Sequence, residues 1–334
     1  MRTKVVLITG GYTGEAAVSY KSAAFVKANI DTEKFTVYTV DITPEGWRCE
    51  APNGVEYELD LRDFSIQVDQ QKIQFDVALI ILHGSPGEDG KLQGYLDMVH
   101  VPYTTCDALT SALTMNKGYT KAILRDIDNL HLAESVLLFG DQRGGAIERI
   151  RQKLQLPLFV KPNAGGSSIG MSKVSGWEDL DAALEKAFDA ENTGNQVLVE
   201  EFVQGREFSQ GIYKDAQGHI RVLPASEIKT TREFFDFEAK YTPGLTQEIT
   251  PAELTAAQKQ NADQMITQIY QTLNCKGMVR VDFFLQQETD HFYFIEINTV
   301  PGQTEQSFIP QQVRAAGMTE TTFYTDLLQA ALKK

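Results

Sequence analysis

The chain of 334 residues is poor in cysteine and in long apolar runs, which are features of secreted and membrane proteins. Its three cysteines are far apart, odd in number and without the spacing of a metal site or a disulfide framework: Cys49, Cys106 and Cys275. The longest apolar run, Val77–Leu82, has the length of a buried strand and is too short to cross a membrane. The first residues also lack the apolar stretch of a signal peptide. We therefore predict a soluble cytoplasmic protein.

Positive charge is scarce as well. The chain carries 45 acidic and 31 basic residues, which gives a formal net charge of −14. This balance argues against a nucleic-acid partner and against adhesion to an anionic membrane. A protein of this charge that binds phosphate must place its cations locally, so lysines and arginines beside glycine loops and strand ends become the candidates. The hydrophobic content of 42% is ample for packed cores, and the length suggests two or three domains.

The most informative segment covers residues 278–298. Two runs of β-branched and aromatic residues flank a short polar break, which predicts a β-hairpin. Pairing about the centre of that break sets Asp282 opposite Glu296 and Arg280 opposite Asn298. Because strand side chains alternate between faces, these four polar groups are expected to share one face. The other face is expected to be apolar and to contain Val281, Phe283, Ile295 and Ile297.

Two carboxylates, an amide and a guanidinium on one sheet face suggest a cation site. Mg²⁺ takes oxygen ligands and usually combines one or two carboxylates with substrate phosphates. The turn that follows, from Pro301-Gly302 to Ser307, could present backbone N–H groups and a hydroxyl to a carboxylate. The alternatives are a solvated sheet face with cross-strand ion pairs, followed by an ordinary turn.

A glycine-rich loop follows a lysine at residues 161–170, Lys-Pro-Asn-Ala-Gly-Gly-Ser-Ser-Ile-Gly. Glycine lets backbone N–H groups approach a phosphate closely, and Lys161 at the end of a predicted strand adds a point charge. The segment is not a P-loop, because Met171-Ser172 stands where that motif requires Lys followed by Ser or Thr. It predicts a different phosphate site, and the alternative is an ordinary glycine-rich turn.

Further polar side chains stand where predicted strands end. A strand over residues 196–202 leads to Glu200 and Glu207, where a backbone edge could pair with a purine and a carboxylate could hold ribose hydroxyls. Glu15 lies in the glycine-rich turn after the first strand, at the edge where open α/β sheets bind ligands, and its charge suits a substrate ammonium. His83 follows a second core strand at the same expected edge. The alternative for each is a solvated loop residue.

Taken in order, these segments resemble the D-alanine–D-alanine ligases of the ATP-grasp group. The combination of Glu-Ala-Lys-Tyr with the two C-terminal segments is highly specific, whereas no single glycine loop is. The matching segments span nearly the whole chain: Gly-Gly-x-x-x-Glu15-x-x-Val-Ser19, Leu-His83-Gly-x-x-Gly-Glu-Asp-Gly-x-Leu-Gln-Gly94, Ser111-Ala-Leu-x-Met-x-Lys117, Val-Lys161-Pro through Gly166-Ser-Ser-x-Gly-Met-Ser-Lys173, Asp236-x-Glu-Ala-Lys-Tyr241, Cys275-Lys-Gly-x-x-Arg280-x-Asp282 and Glu296-x-Asn-Thr-x-Pro-Gly302.

The resemblance implies an α/β (α+β) chain with the ATP-grasp fold in three parts. An N-terminal Rossmann-like domain with a parallel sheet is expected over residues 1–106 and would bind substrate. A central domain over residues 107–199 would carry the phosphate loop, and a C-terminal ATP-grasp domain over residues 200–334 would carry the metal site. The aperiodic stretch at about 229–247 would be a lid. ATP would lie between the central and C-terminal domains.

The resemblance also implies residues for the nucleotide and its cations. Lys117 and Lys161 resemble the phosphate-binding lysines of the family. The full set expected to bind ATP is Lys117, Lys161, Ser168, Glu200, Glu201, Phe202, Val203, Glu207 and Lys240. The residues that resemble ligands of two Mg²⁺ ions, for which Mn²⁺ could substitute, are Asp282, Glu296 and Asn298.

The reaction implied is ATP-dependent joining of two D-alanines through an acyl phosphate, for peptidoglycan precursor synthesis. Arg280 and the Gly302 N–H would stabilise the oxyanion, and Glu15 would hold the first ammonium. The residues expected to be catalytic are Glu15, Ser167, Tyr241, Arg280 and Gly302. Those expected to bind the amino acids are Glu15, His83, Arg280, Gly302, Ser307 and Phe308, with Lys240 assisting Ser307 at the second carboxylate. Glu15, Ser167 and Tyr241 resemble a trio that fastens the lid.

Several alternatives stay open at this point. Tyr241 favours an amine over D-lactate as second substrate, whereas D-serine is less easily excluded. Another ATP-grasp carboxylate–amine ligase is a second reading of the motifs. A non-catalytic nucleotide-binding protein is a third, although it would be expected to lose a metal ligand or the oxyanion arginine. A homodimer is expected because the family is commonly dimeric.

Overall fold

The computed structural model describes residues 2–142, 144–166, 169–190, 195–230 and 246–333. The strands of these residues form three sheets. In chain order the strands are β1 (Thr3–Gly10), β2 (Phe35–Thr43), β3 (Gly46–Glu50), β4 (Glu56–Asp60), β5 (Ser65–Val68), β6 (Gln71–Gln74), β7 (Val77–Ile80), β8 (Leu130–Leu132), β9 (Ser135–Phe139), β10 (Leu158–Pro162), β11 (Ser172–Val174), β12 (Gln196–Glu201), β13 (Arg206–Lys214), β14 (Ile220–Val222), β15 (Ser226–Thr230), β16 (Thr246–Ile249), β17 (Met278–Leu285) and β18 (Phe292–Asn298).

Helices cover the sheets and connect them. In chain order they are α1 (Ala16–Asn29), α2 (Lys91–Met98), α3 (Ala108–Met115), α4 (Lys117–Leu124), α5 (Ala146–Lys153), α6 (Leu180–Phe188), α7 (Ala256–Thr272), α8 (Phe308–Ala315) and α9 (Glu320–Leu332). Short 3-10 helices cover Gly140–Gln142 and Trp177–Asp179. Among the described residues, no helix combines the length and apolar character needed to cross a bilayer.

The first sheet has the order β6-β5-β4-β3-β2-β1-β7. Strands β2, β1 and β7 pair in parallel, as the strand–helix alternation predicts. Strands β3 to β6 extend the sheet with antiparallel pairs that the sequence does not predict. These additions have four or five residues each and bury at most one face, so they contain too few apolar residues for a clear signal. The predicted parallel sheet is therefore the centre of a mixed one.

The turn after β1 brings the first candidate residue to the carboxyl edge of this sheet. Gly10 has a positive φ of 91°, and a Cβ there would lie 2.4 Å from Ile42 O. Another residue type would therefore separate β1 from β2 at the point where the chain leaves the sheet. The turn leads directly to Glu15 and α1, and β7 leads to His83 at the same edge.

The second sheet is antiparallel and has the order β11-β10-β12-β9. Its apolar face packs on α5 and α6, whose buried residues include Ile150, Leu180 and Leu184. The spacing of Ser175 and Glu178 predicts a capping box at the start of a helix, but that box does not form. The chain enters a 3-10 helix from Gly176 without a side-chain cap, and α6 begins at Leu180.

The third sheet has the order β16-β15-β13-β17-β18-β8, with β14 beside β13. Helix α7 covers it through Met265, Ile266 and Ile269, which join a core that extends across β17 and β18. Burying such side chains contributes about 1.5–3 kcal/mol each. Strand β8 comes from the predicted central domain but lies on this sheet, paired in parallel with β18. The predicted domain boundaries stay predictions.

The predicted hairpin at residues 278–298 is present and its pairing is confirmed. Asp282 lies opposite Glu296, and Arg280 lies opposite Asn298. The expectation that Ile295 joins the apolar face is wrong. A β-bulge after Asp282 shifts the alternation by one residue, so the core side chains beyond it are Phe294 and Phe292, and Ile295 is only partly buried.

The segment Thr250-Pro251-Ala-Glu253 predicts that α7 begins there, with Thr as N-cap and Pro at the first helical position, and this prediction is also wrong. The helix begins five residues later, because Thr255 and Gln258 form a complete capping box there. The Thr250 hydroxyl instead lies 2.6 Å from that of Ser226 on β15. Both stretches have capping residue types, and the packing of the preceding strand decides between them.

Candidate active site

Loops from all three sheets meet in one place. The Glu15 carboxylate lies between Gly84 of the first sheet's second loop and Gly166 of the glycine-serine loop. A Cβ on Gly84 would lie 2.8 Å from Glu15 Oε2, and a Cβ on Gly166 would lie 3.0 Å from Glu15 Oε1. Lys117 donates to Gly165 O at 2.6 Å, and its Nζ lies 3.6 Å from Glu296 Oε2 on β18. The segments singled out in the sequence therefore share one site.

The polar face of the hairpin is organised around Asp282. Arg280 donates to its two oxygens at 2.9 and 2.7 Å, and the Ser209 hydroxyl donates to Oδ1 at 2.6 Å. Asn298 Nδ2 lies 3.3 Å from Oδ2. Burial alone would lower the pKa of Arg280, but the charges of Asp282 and Glu296 raise it above its ordinary value. This arginine is therefore a permanent cation inside the site.

The predicted phosphate lysines lie beside a residue that the sequence assigned to adenine. Lys161 and Lys121 both form ion pairs with the buried Glu200 carboxylate. Burial by itself would raise the pKa of Glu200, but the two lysines lower it to about 2. Burial also lowers the pKa of Lys117, against the opposing effect of Glu296. The Glu200 side chain thus contacts lysines in this structure.

Lys121 was missed by the sequence interpretation. It lies on α4 four residues after Lys117, so both side chains project from the same helix face. Besides Glu200, it donates to Ala133 O at 2.8 Å. The interval of four residues between Lys117 and Lys121, within one helix, is the signal that could have identified Lys121.

The predicted adenine-facing segment lies at the end of β12. The Glu201 N–H donates to Glu134 O and the Phe202 N–H donates to Pro157 O, so these two donors are already used. The Glu201 carboxylate accepts from Gln155 N at 2.8 Å. Within the described ranges, Val203 N–H has no partner, which leaves it as the backbone donor in this segment.

Two side chains flank this segment. The Phe202 ring is partly buried, and Lys173 Nζ lies 4.3 Å from its centroid. Glu207 lies on β13 opposite Phe284 of β17 and is partly buried. The ring follows the end of β12 and the carboxylate lies at the start of β13; the binding of adenine and ribose by this segment stays a prediction.

His83 is almost fully buried, with 6% of its surface exposed. Its Nδ1 lies 2.7 Å from Val300 O and its Nε2 lies 3.0 Å from Ser22 Oγ. Burial lowers the pKa of His83 to about 4, so the ring is neutral at neutral pH. Both ring nitrogens are therefore engaged by protein atoms; direct contact of His83 with substrate stays a prediction.

Glu88 is a second side chain without a role in the sequence interpretation. Its Oε2 accepts from Gly84 N at 2.7 Å and its Oε1 accepts from Val300 N at 3.2 Å. Burial and the neighbouring negative charge of Glu15 raise the pKa of Glu88 to about 8. It belongs to the segment that follows His83, but nothing in the spacing shows that it reaches the C-terminal part of the chain.

The turn after β18 places Gly302 against Ser307. A Cβ on Gly302 would lie 2.9 Å from Ser307 Oγ, so glycine allows this approach. The Ser307 hydroxyl accepts from Thr304 N at 3.0 Å. The Phe308 ring lies 5.8 Å from the Arg280 guanidinium carbon. Gly302 and Ser307 therefore lie against each other, and Phe308 lies beside Arg280 of the hairpin; their binding of the amino acids stays a prediction.

Some predicted site residues lie outside the described residues. They are Ser167 and Ser168 of the glycine-serine loop, Lys240 and Tyr241, and most of the predicted lid at 229–247. Their predicted roles stay predictions.

The arrangement defines a class of protein. The site combines lysines beside a glycine-rich loop, carboxylates on an adjacent hairpin and a separate acidic turn on a parallel sheet, and these groups suit a phosphorylated nucleotide next to an ammonium. With the three-sheet architecture, these features are those of an ATP-grasp ligase.

Comparison with known proteins identifies the family within this class. The family model described as D-ala D-ala ligase N-terminus matches residues 4–106, and that described as D-ala D-ala ligase C-terminus matches residues 138–329. A D-alanine–D-alanine ligase of Azobacteroides pseudotrichonymphae is 40% identical over 326 residues, which cover 98% of this chain and 99% of that protein. The chain belongs to the D-alanine–D-alanine ligase family, and the predicted family and enzyme class are confirmed.

Solved structures confirm the predicted fold. The VanG D-Ala:D-Ser ligase from Enterococcus faecalis has a TM-score of 0.88 at 29% identity and covers 99% of this chain and 100% of its own. The D-alanine–D-alanine ligase from Bacillus anthracis complexed with ATP has a TM-score of 0.78 at 27% identity, with coverage of 100% and 98%.

Proposed function

We propose that this ligase joins two D-alanines into D-alanyl-D-alanine and converts ATP to ADP and phosphate, which supplies a precursor of peptidoglycan. The observation that supports it best is that Glu15, Gly166 and Lys117, which pairs with Glu296, come from three sheets and lie together, because a carboxylate suited to an ammonium then adjoins a lysine suited to a phosphate. The family membership and the ATP complex of the Bacillus anthracis relative support the same assignment.

The nucleotide phosphates would be bound by Lys117 and Lys161. In a chain with a formal net charge of −14, these lysines and Lys121 are concentrated beside the glycine-serine loop. Glu200 holds Lys161 and Lys121 in place, so their charges are positioned before ATP arrives. Positioned charge of this kind is the main contribution of protein to phosphoryl transfer.

The hairpin face fits a divalent cation in its donor set. Asp282 and Glu296 lie directly opposite each other and Asn298 adjoins Asp282, which provides two carboxylates and an amide oxygen. No described cluster of three acidic, histidine or cysteine side chains would enclose a cation alone. That suits Mg²⁺, which combines few carboxylates with phosphate oxygens and would offset negative charge on the transferring phosphoryl group.

The chemistry would proceed in two steps. A carboxylate oxygen of the first D-alanine attacks the γ-phosphorus, ADP leaves, and an acyl phosphate forms. The amine of the second D-alanine then attacks the carbonyl carbon, and phosphate leaves with the oxygen that it shared. Glu15 would hold the ammonium of the first D-alanine, while Arg280 and the Gly302 N–H would stabilise the oxyanion of the tetrahedral intermediate that forms when the amine attacks in the second step. Closure of the predicted lid would exclude water from the acyl phosphate.

The second amino acid would bind at the turn that contains Gly302 and Ser307, next to Phe308. An alternative second substrate is D-serine, which is favoured by the high structural similarity to a D-Ala:D-Ser ligase. Another ATP-grasp carboxylate–amine ligase is less well supported, because Glu15 fits an amino-acid ammonium. A non-catalytic nucleotide-binding protein is less well supported because a catalytic polar face is present, formed by Arg280, Asp282, Glu296 and Asn298.

The decisive experiment measures phosphate release from ATP with D-alanine, L-alanine, D-serine and D-lactate, offered singly and in pairs. We expect release with D-alanine alone, and D-alanyl-D-alanine as the product by mass spectrometry. Release only when D-serine accompanies D-alanine would establish the alternative ligase. Nucleotide binding without release under any pair would refute a ligase function.

We also propose a homodimer and a cytoplasmic location. Leu109 and Met98 are the most exposed large apolar side chains described, at 79% and 74%, which is compatible with a contact surface. The three cysteines are free and buried, as in a reducing compartment. Sedimentation of the purified protein tests the dimer, and cell fractionation tests the location.

A further inference from the structure

The turn formed by residues 300–303 is held by the first sheet's loops rather than by its own hairpin. Val300 O accepts from His83 Nδ1 at 2.7 Å, and Val300 N–H donates to Glu88 Oε1 at 3.2 Å. Gln303 N–H donates to Ser22 Oγ at 3.2 Å. The partners are between 212 and 281 residues apart in the chain. Three separate side chains of the N-terminal part therefore hold the two ends of this turn.

The chemistry of these groups allows one arrangement of protons. A carbonyl oxygen only accepts, so the hydrogen of the neutral His83 ring must lie on Nδ1, toward Val300. His83 Nε2 is then an acceptor, and the Ser22 hydroxyl must donate to it. The remaining lone pairs of Ser22 Oγ accept the Gln303 N–H. Ser22 and Gln303 are completely buried, so water does not replace any of these bonds.

The middle of the turn is fixed as well, with one exception. Gln303 Nε2 donates to Pro301 O at 3.2 Å, and the Tyr324 hydroxyl donates to Gln303 Oε1 at 2.9 Å. Gly302 lies between these buried neighbours and is partly exposed, facing Ser307. In the described part of the chain, the Gly302 N–H has no hydrogen-bond partner. The Val300 and Gln303 N–H groups are thus taken by Glu88 and Ser22, and the Gly302 N–H is left without a partner among the described residues, beside Ser307.

We propose that Ser22, His83 and Glu88 are positioning residues that aim the Gly302 N–H at the reacting carbonyl. The proposal rests on the proposed function, because it requires an oxyanion for Gly302 to stabilise. His83 then acts through Val300 and Ser22, whereas the sequence predicted that it would bind substrate directly. An oxyanion donor is effective only when its position is set before the reaction, and the loss of one costs about 10²–10³-fold in kcat.

The test compares two buried hydroxyls in otherwise intact protein. Ser22→Ala removes the link between His83 and Gln303. The matched control is Thr110→Ala, because the buried Thr110 hydroxyl also bridges a helix to a distant backbone group, Leu273 O at 3.1 Å, but touches nothing in the turn. A phosphinate isostere of the tetrahedral intermediate, bound in the presence of ATP, reports how well the oxyanion site is formed.

We expect Ser22→Ala to lower kcat about tenfold and to weaken phosphinate binding by a similar factor, because the Gly302 donor is displaced rather than lost. The KM for ATP should stay within about twofold, and Thr110→Ala should match the wild type in both readouts. Tyr324→Phe, which keeps the ring and removes one bond to Gln303, should show the same pattern at about threefold, and it serves if Ser22→Ala does not fold.

Two results would overturn the positioning role. One is a Ser22→Ala variant whose kcat and phosphinate affinity equal those of Thr110→Ala. The other is a fall in kcat with unchanged phosphinate affinity, which a loss of folded protein alone would produce. A wild-type protein that releases no phosphate with D-alanine would instead refute the proposed function, so the two failures are distinguishable.

Discussion

Two glutamates on opposite sides of the site, Glu200 and Glu88, show how neighbouring groups shift the pKa of a carboxyl group in opposite directions. Glu200, on the nucleotide side, has two lysines against it, and its pKa falls to about 2. Burial and the nearby charge of Glu15 raise the pKa of Glu88, on the amino-acid side, to about 8, against the lowering effect of two backbone N–H donors. The nucleotide side is thus an arrangement of paired full charges, whereas the amino-acid side relies on neutral groups and backbone hydrogen bonds.

The difference follows from the ligand that each side is proposed to bind. A polyphosphate needs cations, and the lysines that supply them need a buried counter-charge while the site is empty. An amino acid brings an ammonium, for which one carboxylate, Glu15, is enough. A second full negative charge at Glu88 would repel Glu15, so protonation of Glu88 relieves the pair.

The largest effect is expected at Glu296, the nucleotide-side carboxylate that faces Lys117. Glu296→Gln keeps the shape of the side chain but removes the charge, and an amide binds Mg²⁺ more weakly than a carboxylate. We expect kcat to fall about 10³-fold while the protein still folds. Phosphate-release kinetics and circular dichroism check this. Wild-type turnover in the variant would show that the nucleotide side does not depend on that charge.

A smaller effect is expected when Glu200 and Glu88 are compared by the same substitution. Glu200→Gln leaves Lys161 and Lys121 without a counter-charge and should destabilise the fold by about 3 kcal/mol, because breaking a buried pair is costly. Glu88→Gln replaces one acceptor of a backbone N–H at a cost of about 1 kcal/mol, but it also removes the cost of keeping the carboxyl group protonated at pH 7, so we expect no net loss of stability. Urea unfolding at pH 7 measures both. Equal losses of unfolding free energy in the two variants would contradict the proposed contrast between a charged nucleotide side and a neutral amino-acid side.

The stability of the fold is also expected to depend on pH, with opposite signs for the two glutamates. The pKa of Glu88 is raised from 4.5 to about 8, so the unfolded chain binds fewer protons between these values and stability falls as pH rises through that window. The pKa of Glu200 is lowered from 4.5 to about 2, so its contribution is present above pH 4.5 and is lost as pH falls toward 2.

Each group contributes a slope of at most about 1.4 kcal/mol per pH unit within its window. Unfolding free energies measured across both windows check the signs. Glu88→Gln should flatten the upper window and leave the lower one, and Glu200→Gln should do the reverse. A variant that alters both windows equally would show that the two groups are not independent.

The hairpin at 278–298 could be predicted closely because its information is local. Period-two alternation and a short break are enough to set Asp282 opposite Glu296, since both strands and their turn lie within 21 consecutive residues. The bulge that turns Ile295 away from the core could not be predicted, because it depends on how the hairpin packs against α7 and the neighbouring strands. The start of α7 was misplaced for a similar reason, since two capping sequences compete within six residues.

The sequence alone determined which chemical groups this protein carries and where along the chain they stand: phosphate lysines beside glycines, carboxylates on a hairpin and an acidic turn after the first strand. These follow from side-chain chemistry and short-range spacing. Only the tertiary structure decided their charge and their partners. Burial and contacts between residues more than 60 positions apart set the pKa of Glu88 and the ion pair between Lys121 and Glu200. Contacts of the same kind set the hydrogen bonds of Ser22 and His83 to residues 300–303, and local patterns do not encode any of them.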